Sequence, residues 1–329
     1  MEKIISVLTG ATGHIGYALL EELISKGENV RILIRKDSPI FDNINCEKIF
    51  GDVTDADSLE KAFQGADVVY HLAGIIDVSS INKDSIFKVN VDGTKNVVDA
   101  CKKCGVKRLI YTSSVDAFPP LANNEVMHEI DNFDPENLDG NYAKSKAIAT
   151  QFVLDSADEN FEVVICHPGA CIGPYDFKVS NVGELVRVFL HGQFPVTMNF
   201  GAYNFVDVRD VANALYVASV KAKSRDCFIL TGDIVTVDEL IGMLSEICGL
   251  KKPRFVLKKW MADLTAPLAE VYYNLAKKTP IFTRYSIRKL VSNCNFSSEK
   301  AQKELGYSPM SAKDSFSDMV NWIREHEKK

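Results

Sequence analysis

Residues 9–16, TGATGHIG, constrain this chain more than any other stretch. They follow the apolar run Ile4, Ile5, Val7, Leu8 and precede YALLEELISKG, which has the apolar spacing of an amphipathic helix. A strand that enters a helix through such a turn aims backbone N–H groups and the positive end of the helix at one point, an arrangement suited to phosphate. Gly10 would make the turn, Gly13 would let the backbone approach a pyrophosphate, and Gly16 would let the helix lie close on the sheet. Three glycines alone occur by chance; the strand before them and the helix after them give the spacing its meaning.

Further short β-like runs at 30–34, 47–50, 67–71, 108–112 and 161–166 alternate with helical patterns. That alternation predicts an α/β chain with a doubly wound parallel sheet of the Rossmann type. After HPGACIGP at 167–174 the pattern turns to longer helical pieces, with strands near 204–206 and 227–230. The expected division is a dinucleotide-binding part, 1–168 with a return at about 204–232, and a smaller, mostly helical substrate region, 169–203 with 233–329. Neither a repeat nor a low-complexity linker separates them, so the two are expected to fold together.

Composition narrows the partners. The chain has 329 residues, 46% of them hydrophobic, with a net charge of −6, and its Lys and Arg are outnumbered by Asp and Glu. Nucleic acid is therefore not an expected partner. There is no basic head followed by an apolar core and a cleavage site, and the eight cysteines are dispersed, so a reducing, cytoplasmic setting is the expectation. Cys101 and Cys104 form a C-x-x-C without a second pair and read as structural thiols. The histidines show no metal-ligand spacing, so no metal is expected. No apolar run reaches the ~18 residues of a spanning helix. The nearest, 258–278, is broken by Asp263, Pro267 and Glu270 and reads as an amphipathic helix packed on the protein, with peripheral membrane contact as the alternative.

Tyr142 and Lys146 lie one turn apart on one face of a predicted helix. A free tyrosine titrates near ~10. Lowering that by about three units takes ~4 kcal/mol, which a lysine at ~4 Å supplies only where the effective dielectric is near 20. The pair therefore needs a partly closed cleft. Tyr273 with Lys277 and Tyr285 with Lys289 share the spacing. They lie far down the helical region and read as ordinary tyrosines and solvated lysines, whereas Tyr142 follows the strand that ends at Ser113 and Ser114.

The glycine turn, GDVTD at 51–55, HLAG at 71–74, VNVDGTKNVVDAC at 89–101, YTSS at 111–114, YAKSK at 142–146, HPGACIGP at 167–174, FVDVRDVANAL at 205–215 and KAQKELGYSP at 300–309 fall in one order. Together they resemble the extended branch of the short-chain dehydrogenase/reductase superfamily over nearly the whole chain. The resemblance implies a nicotinamide-dependent oxidoreductase. Ser114 would polarise a carbonyl, Tyr142 would give or take the proton, and Lys146 would also hold the nicotinamide ribose; Ser113 is the alternative serine and would instead face the sheet. The implied cofactor contacts are Gly10, Thr12, Gly13, His14, Ile15 and Gly16; Asp52, at the adenine amino group, with Val53; Leu72, Ala73 and Gly74, beside the ribose; and His167, Pro168 and Gly169. As side chains, His167 and His71 read as packed, hydrogen-bonded rings rather than a second acid–base group. A homodimer through helices at 84–103 and 141–157 is also implied.

Within that branch, nucleotide-sugar enzymes carry an arginine in a segment written RDFVYVDDVA; here YNFVDVRDVA puts Tyr203 in its place. The wording is closer to the dihydroflavonol reductase and 3β-hydroxysteroid dehydrogenase group. Phe118, Tyr175 and Phe177, with Tyr203 and Ser114, are the expected substrate contacts and suit a flat, apolar ligand such as a steroid or flavonoid. An acidic residue ending the second strand would select NAD. That place falls on Ile34, and Arg35 and Lys36 follow, placed to meet a 2′-phosphate, with Asp37 close enough to neutralise part of their field. The expectation is an NADP(H)-dependent interconversion of a ketone and a secondary alcohol, with NAD(H) as the alternative cofactor. Competing readings are a nucleotide-sugar epimerase or dehydratase with tightly held NAD, and a non-catalytic NADP(H)-sensing protein.

Overall fold

A computed structural model describes residues 4–76, 83–122, 125–194, 196–265 and 284–327. Seven parallel strands form the central sheet: β1 (Ile5–Thr9), β2 (Asn29–Ile34), β3 (Glu47–Phe50), β4 (Val68–His71), β5 (Arg108–Thr112), β6 (Glu162–Pro168) and β10 (Cys227–Leu230). Their spatial order is β10-β6-β5-β4-β1-β2-β3. The chain reverses direction across the sheet between β1 and β4, and the C-terminal ends of those two strands open a crevice where this topology binds ligands.

Helices cover both faces because the strands are apolar on both sides. On one face α2 (Ala56–Phe63), α4 (Gly93–Cys104) and α5 (Asn141–Asp155) bury Leu59, Phe63, Val97, Cys101, Ala147 and Val153. On the other, α1 (His14–Ser25) and α7 (Val208–Lys221) bury Leu19, Leu20, Leu23, Val211 and Leu215. The C-x-x-C sits at the end of α4, where Cys101 is buried and the Cys104 thiol donates to the Glu60 carbonyl at 3.6 Å.

A third core belongs to the later part of the chain. There α6 (Asn181–Leu190), α8 (Val237–Cys248) and α11 (Ala312–His326) pack around a small sheet of β7 (Ala170–Ile172), β9 (Ala202–Asp207) and β11 (Asp233–Thr236). Strand β8 (Val196–Met198) pairs with β12 (Phe255–Leu257), and α9 (Arg284–Val291) and α10 (Glu299–Leu305) complete the described elements. The strand expected at 204–206 therefore does not join the central sheet: β9 pairs with β7 and β11, and only β10 returns to β6. No described helix is long and apolar enough to cross a membrane. Most of the 258–278 stretch, from 266 onward, lies outside the described residues, as does Tyr273 with Lys277.

Two glycines of the opening turn are there because backbone crosses backbone. Gly10 has φ +82°, and a Cβ on it would stand 2.6 Å from the Ala73 nitrogen and 2.7 Å from the Leu72 carbonyl carbon. A Cβ on Gly16 would stand 2.1 Å from the Gly10 carbonyl oxygen, so at this position the helix rests on the turn itself. Gly13 is freer, with only that same oxygen at 3.2 Å. Gly16→Ala is expected to cost about 2 kcal/mol or more, lowering the thermal midpoint by several degrees. Gly13→Ala should leave the midpoint nearly unchanged; equal midpoints for both variants in calorimetry would contradict this account.

Candidate active site

Strand β5 ends in two serines that do different things. The Ser113 hydroxyl is buried against Thr150 Oγ1 of α5 at 2.6 Å. Ser114 Oγ accepts from the Asp116 backbone N–H at 3.1 Å and is near enough to the Tyr142 phenol to pull its pKa down. The serine facing the tyrosine is thus Ser114. Tyr142 and Lys146 stand in the first two turns of α5, 7% and 6% exposed.

Burial decides the charges here. Lys146 Nζ donates to the Thr112 carbonyl at 2.8 Å and lies 5.0 Å from the centre of the Tyr111 ring, with no carboxylate partner among the described residues. Desolvation lowers it to about 7. The Tyr142 phenol is pushed well above its ordinary value, first by burial and then by the Asp116 carboxylate, while Ser114 pulls the other way. The expected lowering of the phenol by Lys146 is not found: burial dominates.

Asp116 has a partner that the sequence hid. Lys289 of α9 meets it at 2.5 Å, each side chain about one-third exposed (28% and 31%). The lysine read as a solvated member of a chance Y-x-x-x-K is instead anchored two residues from Ser114. The Asp116 charge also raises the Tyr203 phenol, second to burial, and that group lies at about 12. Asp116, Tyr142 and Tyr203 therefore share one neighbourhood. Beside it, β8, β9, β11, α9 and residues 292–295 line an open cleft of about 840 Å³ that includes Phe200, Ile234, Leu290 and Cys294.

Asn90 was missed. It lies in a π-helical turn, Lys88–Asp92, between α3 (Lys83–Phe87) and α4. It is 1% exposed; Oδ1 accepts from Ile75 N at 2.8 Å, while Nδ2 donates to Ile75 O and to Ser145 Oγ, each at 3.0 Å. It thereby ties the loop after β4 to α5. A Cβ on Gly74 would stand 3.2 Å from Asn90 Oδ1 and 3.8 Å from Lys146 Nζ, so this loop passes directly by the lysine. The sequence signal was a buried-pattern asparagine between two valines in VNVDG.

The glycine turn brings Gly10, Thr12, Gly13, His14, Ile15 and Gly16 to the start of α1, against Leu72 and Ala73. Arg35 and Lys36 are exposed just past β2. Asp37 does not neutralise Arg35: it is bound to Lys48 at 3.0 Å. Asp52 holds its own turn by accepting from Thr54 N and Oγ1, and Val53 is buried against Gly93. Pro168 and Gly169 lie where β6 gives way to β7. The glycine cradle, the converging positive groups and the loop beside Lys146 fit a nicotinamide dinucleotide.

Several expected contacts lie elsewhere. The His167 ring is fully buried, stacked on Phe133 (5.1 Å) and edge-on to Phe118 (4.8 Å), and interacts with the Ser114 carbonyl through Nδ1 at 3.2 Å, while its buried Nε2 has no hydrogen-bond partner among the described residues. Phe118 is also in the core, packed on Phe133 and Phe296, rather than in a substrate cleft. Tyr175 and Phe177 pack on Tyr17 of α1 (5.2 and 4.9 Å), over the glycine turn, and Phe177 reaches Trp322 (5.0 Å). His71 bridges Thr9 and Thr94 inside the fold, as a packed ring should.

Because the Asp116 charge opposes a phenolate and Lys289 offsets it, Lys289→Met should raise the Tyr142 pKa. The rise of kcat/KM with pH in alcohol oxidation is expected to move upward by about half a pH unit or more. Asp116→Asn should move it downward. A profile that moves with neither substitution would separate the ion pair from the phenol.

Comparison with known proteins places these features in a lineage. Residues 7–227 match the 3-beta hydroxysteroid dehydrogenase/isomerase family. The chain is 32% identical to sterol demethylase protein B of Methylococcus capsulatus, over 97% of this chain and 98% of that one. It is 29% identical to the decarboxylating sterol-4-alpha-carboxylate 3-dehydrogenase of Saccharomyces cerevisiae, over 99% of each. It superposes on the crystal structure of gox2253 with a TM-score of 0.85 at 31% identity, covering 98% of both. The chain belongs to the 3-beta hydroxysteroid dehydrogenase/isomerase family, within the NAD(P)-dependent extended short-chain dehydrogenase/reductase oxidoreductases.

Proposed function

We propose that this protein interconverts a ketone and a secondary alcohol on a bulky apolar substrate of sterol type, using NADP(H), with Tyr142 as the acid–base group. The observation that carries the reading is the Tyr142 phenol facing Ser114 in a buried pocket, one helical turn from Lys146. The sterol class is supported by the names of the relatives and by the cleft beside Tyr203 and α9.

A bound nicotinamide would supply hydride exchange with the carbinol carbon. The chain's own residues handle position and protons. Gly10, Gly13 and the start of α1 hold the diphosphate, and the loop at 72–75 with Lys146 holds the ribose side. Ser114 Oγ donates to the substrate oxygen, and Tyr142 gives its proton to that oxygen in reduction or removes it in oxidation. The raised phenol is already in the form that donates. For oxidation, the Lys146 ammonium and the Ser114 hydroxyl stabilise the phenolate.

Tyr203, in the place of the sugar enzymes' arginine, is partly buried near Asp116 and offers no cation to a sugar nucleotide. The intact tyrosine–lysine pair speaks against a purely sensing role. Tyr142→Phe should lower turnover at least about a hundredfold while nucleotide affinity changes less than about threefold, and Tyr273→Phe should alter neither. Normal turnover by Tyr142→Phe would remove the assignment.

For the cofactor, Asp37 is bound to Lys48, which leaves Arg35 free for a 2′-phosphate. Arg35→Ala and Ile34→Asp should each lower the NADPH-to-NADH affinity ratio by roughly ten- to hundredfold. An unchanged ratio in both variants would exclude Arg35 as the selector.

A further inference from the structure

Residues 173–180, between β7 and α6, form a strap across the glycine turn. At one end His14 Nε2 contacts the Pro174 carbonyl at 2.7 Å. At the other, the buried Asp176 carboxylate accepts from Ser180 N at 2.9 and 3.0 Å and from Ser180 Oγ at 2.9 Å, with Arg187 at 4.0 Å. Phe177 is wedged between Tyr17 and Trp322. Two residues without the freedom of glycine, Tyr175 (φ +74°) and Val179 (φ +54°), adopt left-handed backbone here, a conformation kept only when surrounding contacts impose it.

What the strap delivers is Lys178, whose Nζ lies 2.6 Å from Thr12 Oγ1. Although Lys178 is exposed, partial desolvation and then the charge of Arg35 hold this ammonium below its ordinary value, so the two cations feel one another. Among the described residues neither has a carboxylate within ion-pair distance, Asp37 being taken by Lys48. Two like charges brought together from distant parts of the chain, with no acid between them, repel unless an anion is shared. The diphosphate of a dinucleotide is met by the backbone N–H groups of the turn, whereas Arg35 follows β2, beside the adenosine ribose.

We propose that Lys178 is a second, specificity-determining cation for the 2′-phosphate of NADP(H), sharing that group with Arg35 and fastening the 173–180 strap over the adenosine half of the cofactor. This rests on the NADP(H) reading above and adds to it a residue and a segment outside the glycine motif. Thr12 then orients the ammonium through the hydrogen bond already present.

The test compares two fragments that differ only in the 2′-phosphate, adenosine 2′,5′-bisphosphate and adenosine 5′-monophosphate, by calorimetric titration of the whole chain. Lys178→Gln, one atom shorter but still a hydrogen-bond donor, should weaken the bisphosphate about tenfold and change the monophosphate less than about twofold. Equal weakening of both would make Lys178 a diphosphate-side contact and overturn the proposal. If Arg35→Ala loses the bisphosphate preference and Lys178→Gln keeps it, the proposal fails while the cofactor reading stands. If the parent protein shows no preference for the bisphosphate, both fall together.

Discussion

Everything in this molecule hangs on one close passage of backbone over backbone. The turn after β1 runs against the chain leaving β4 with no room for a side chain at Gly10, and α1 sits on the Gly10 carbonyl with no room for one at Gly16. That contact fixes where α1 begins and which way its N–H groups point. It also fixes the 72–75 loop, which Asn90 ties through Ser145 to the helix bearing Tyr142 and Lys146. The glycine turn and the Tyr142–Lys146 pair are thus parts of one arrangement at the reversal point of the sheet.

Around that frame the chain tolerates charges it has not neutralised. Lys146 is buried on a backbone carbonyl and a tyrosine ring, and Arg35 and Lys178 lie close without an acid between them. The later part of the chain closes the other side, with Lys289 on Asp116 and the aromatic strap on α1, so the third core is joined to the chemistry by ion pair and ring packing rather than by the central sheet.

The sheet was legible because its strands are short apolar runs between helical repeats, and period alone separates the two. Five of the six early strands begin or end within one residue of where pattern puts them, and β6 runs two residues further, through His167 and Pro168. The glycine turn, Ser114, Tyr142 and Lys146 were legible through order along the chain. Side-chain destinations were not. Phe118 follows Ser114 by four residues, yet its ring turns inward, where Phe133, Phe296 and the packed His167 reward burial. Lys289 looked like a solvated lysine because its partner, Asp116, is far away in sequence, and nothing singled out Lys178, whose contact, Thr12, is as distant. β9 left the central sheet because β7 supplied a partner no local pattern announces.

The central claim is that the buried phenol at the reversal point serves hydride exchange between a nicotinamide and an apolar alcohol carbon. Its most direct test is label transfer. The protein is incubated with NADPH deuterated at the transferable C4 position and a 3-ketosteroid, and the product alcohol is examined by mass spectrometry. The account predicts one deuterium on the carbinol carbon with the parent protein and no labelled alcohol with Tyr142→Phe. Alcohol formed without label, or labelled equally by the variant, would contradict it.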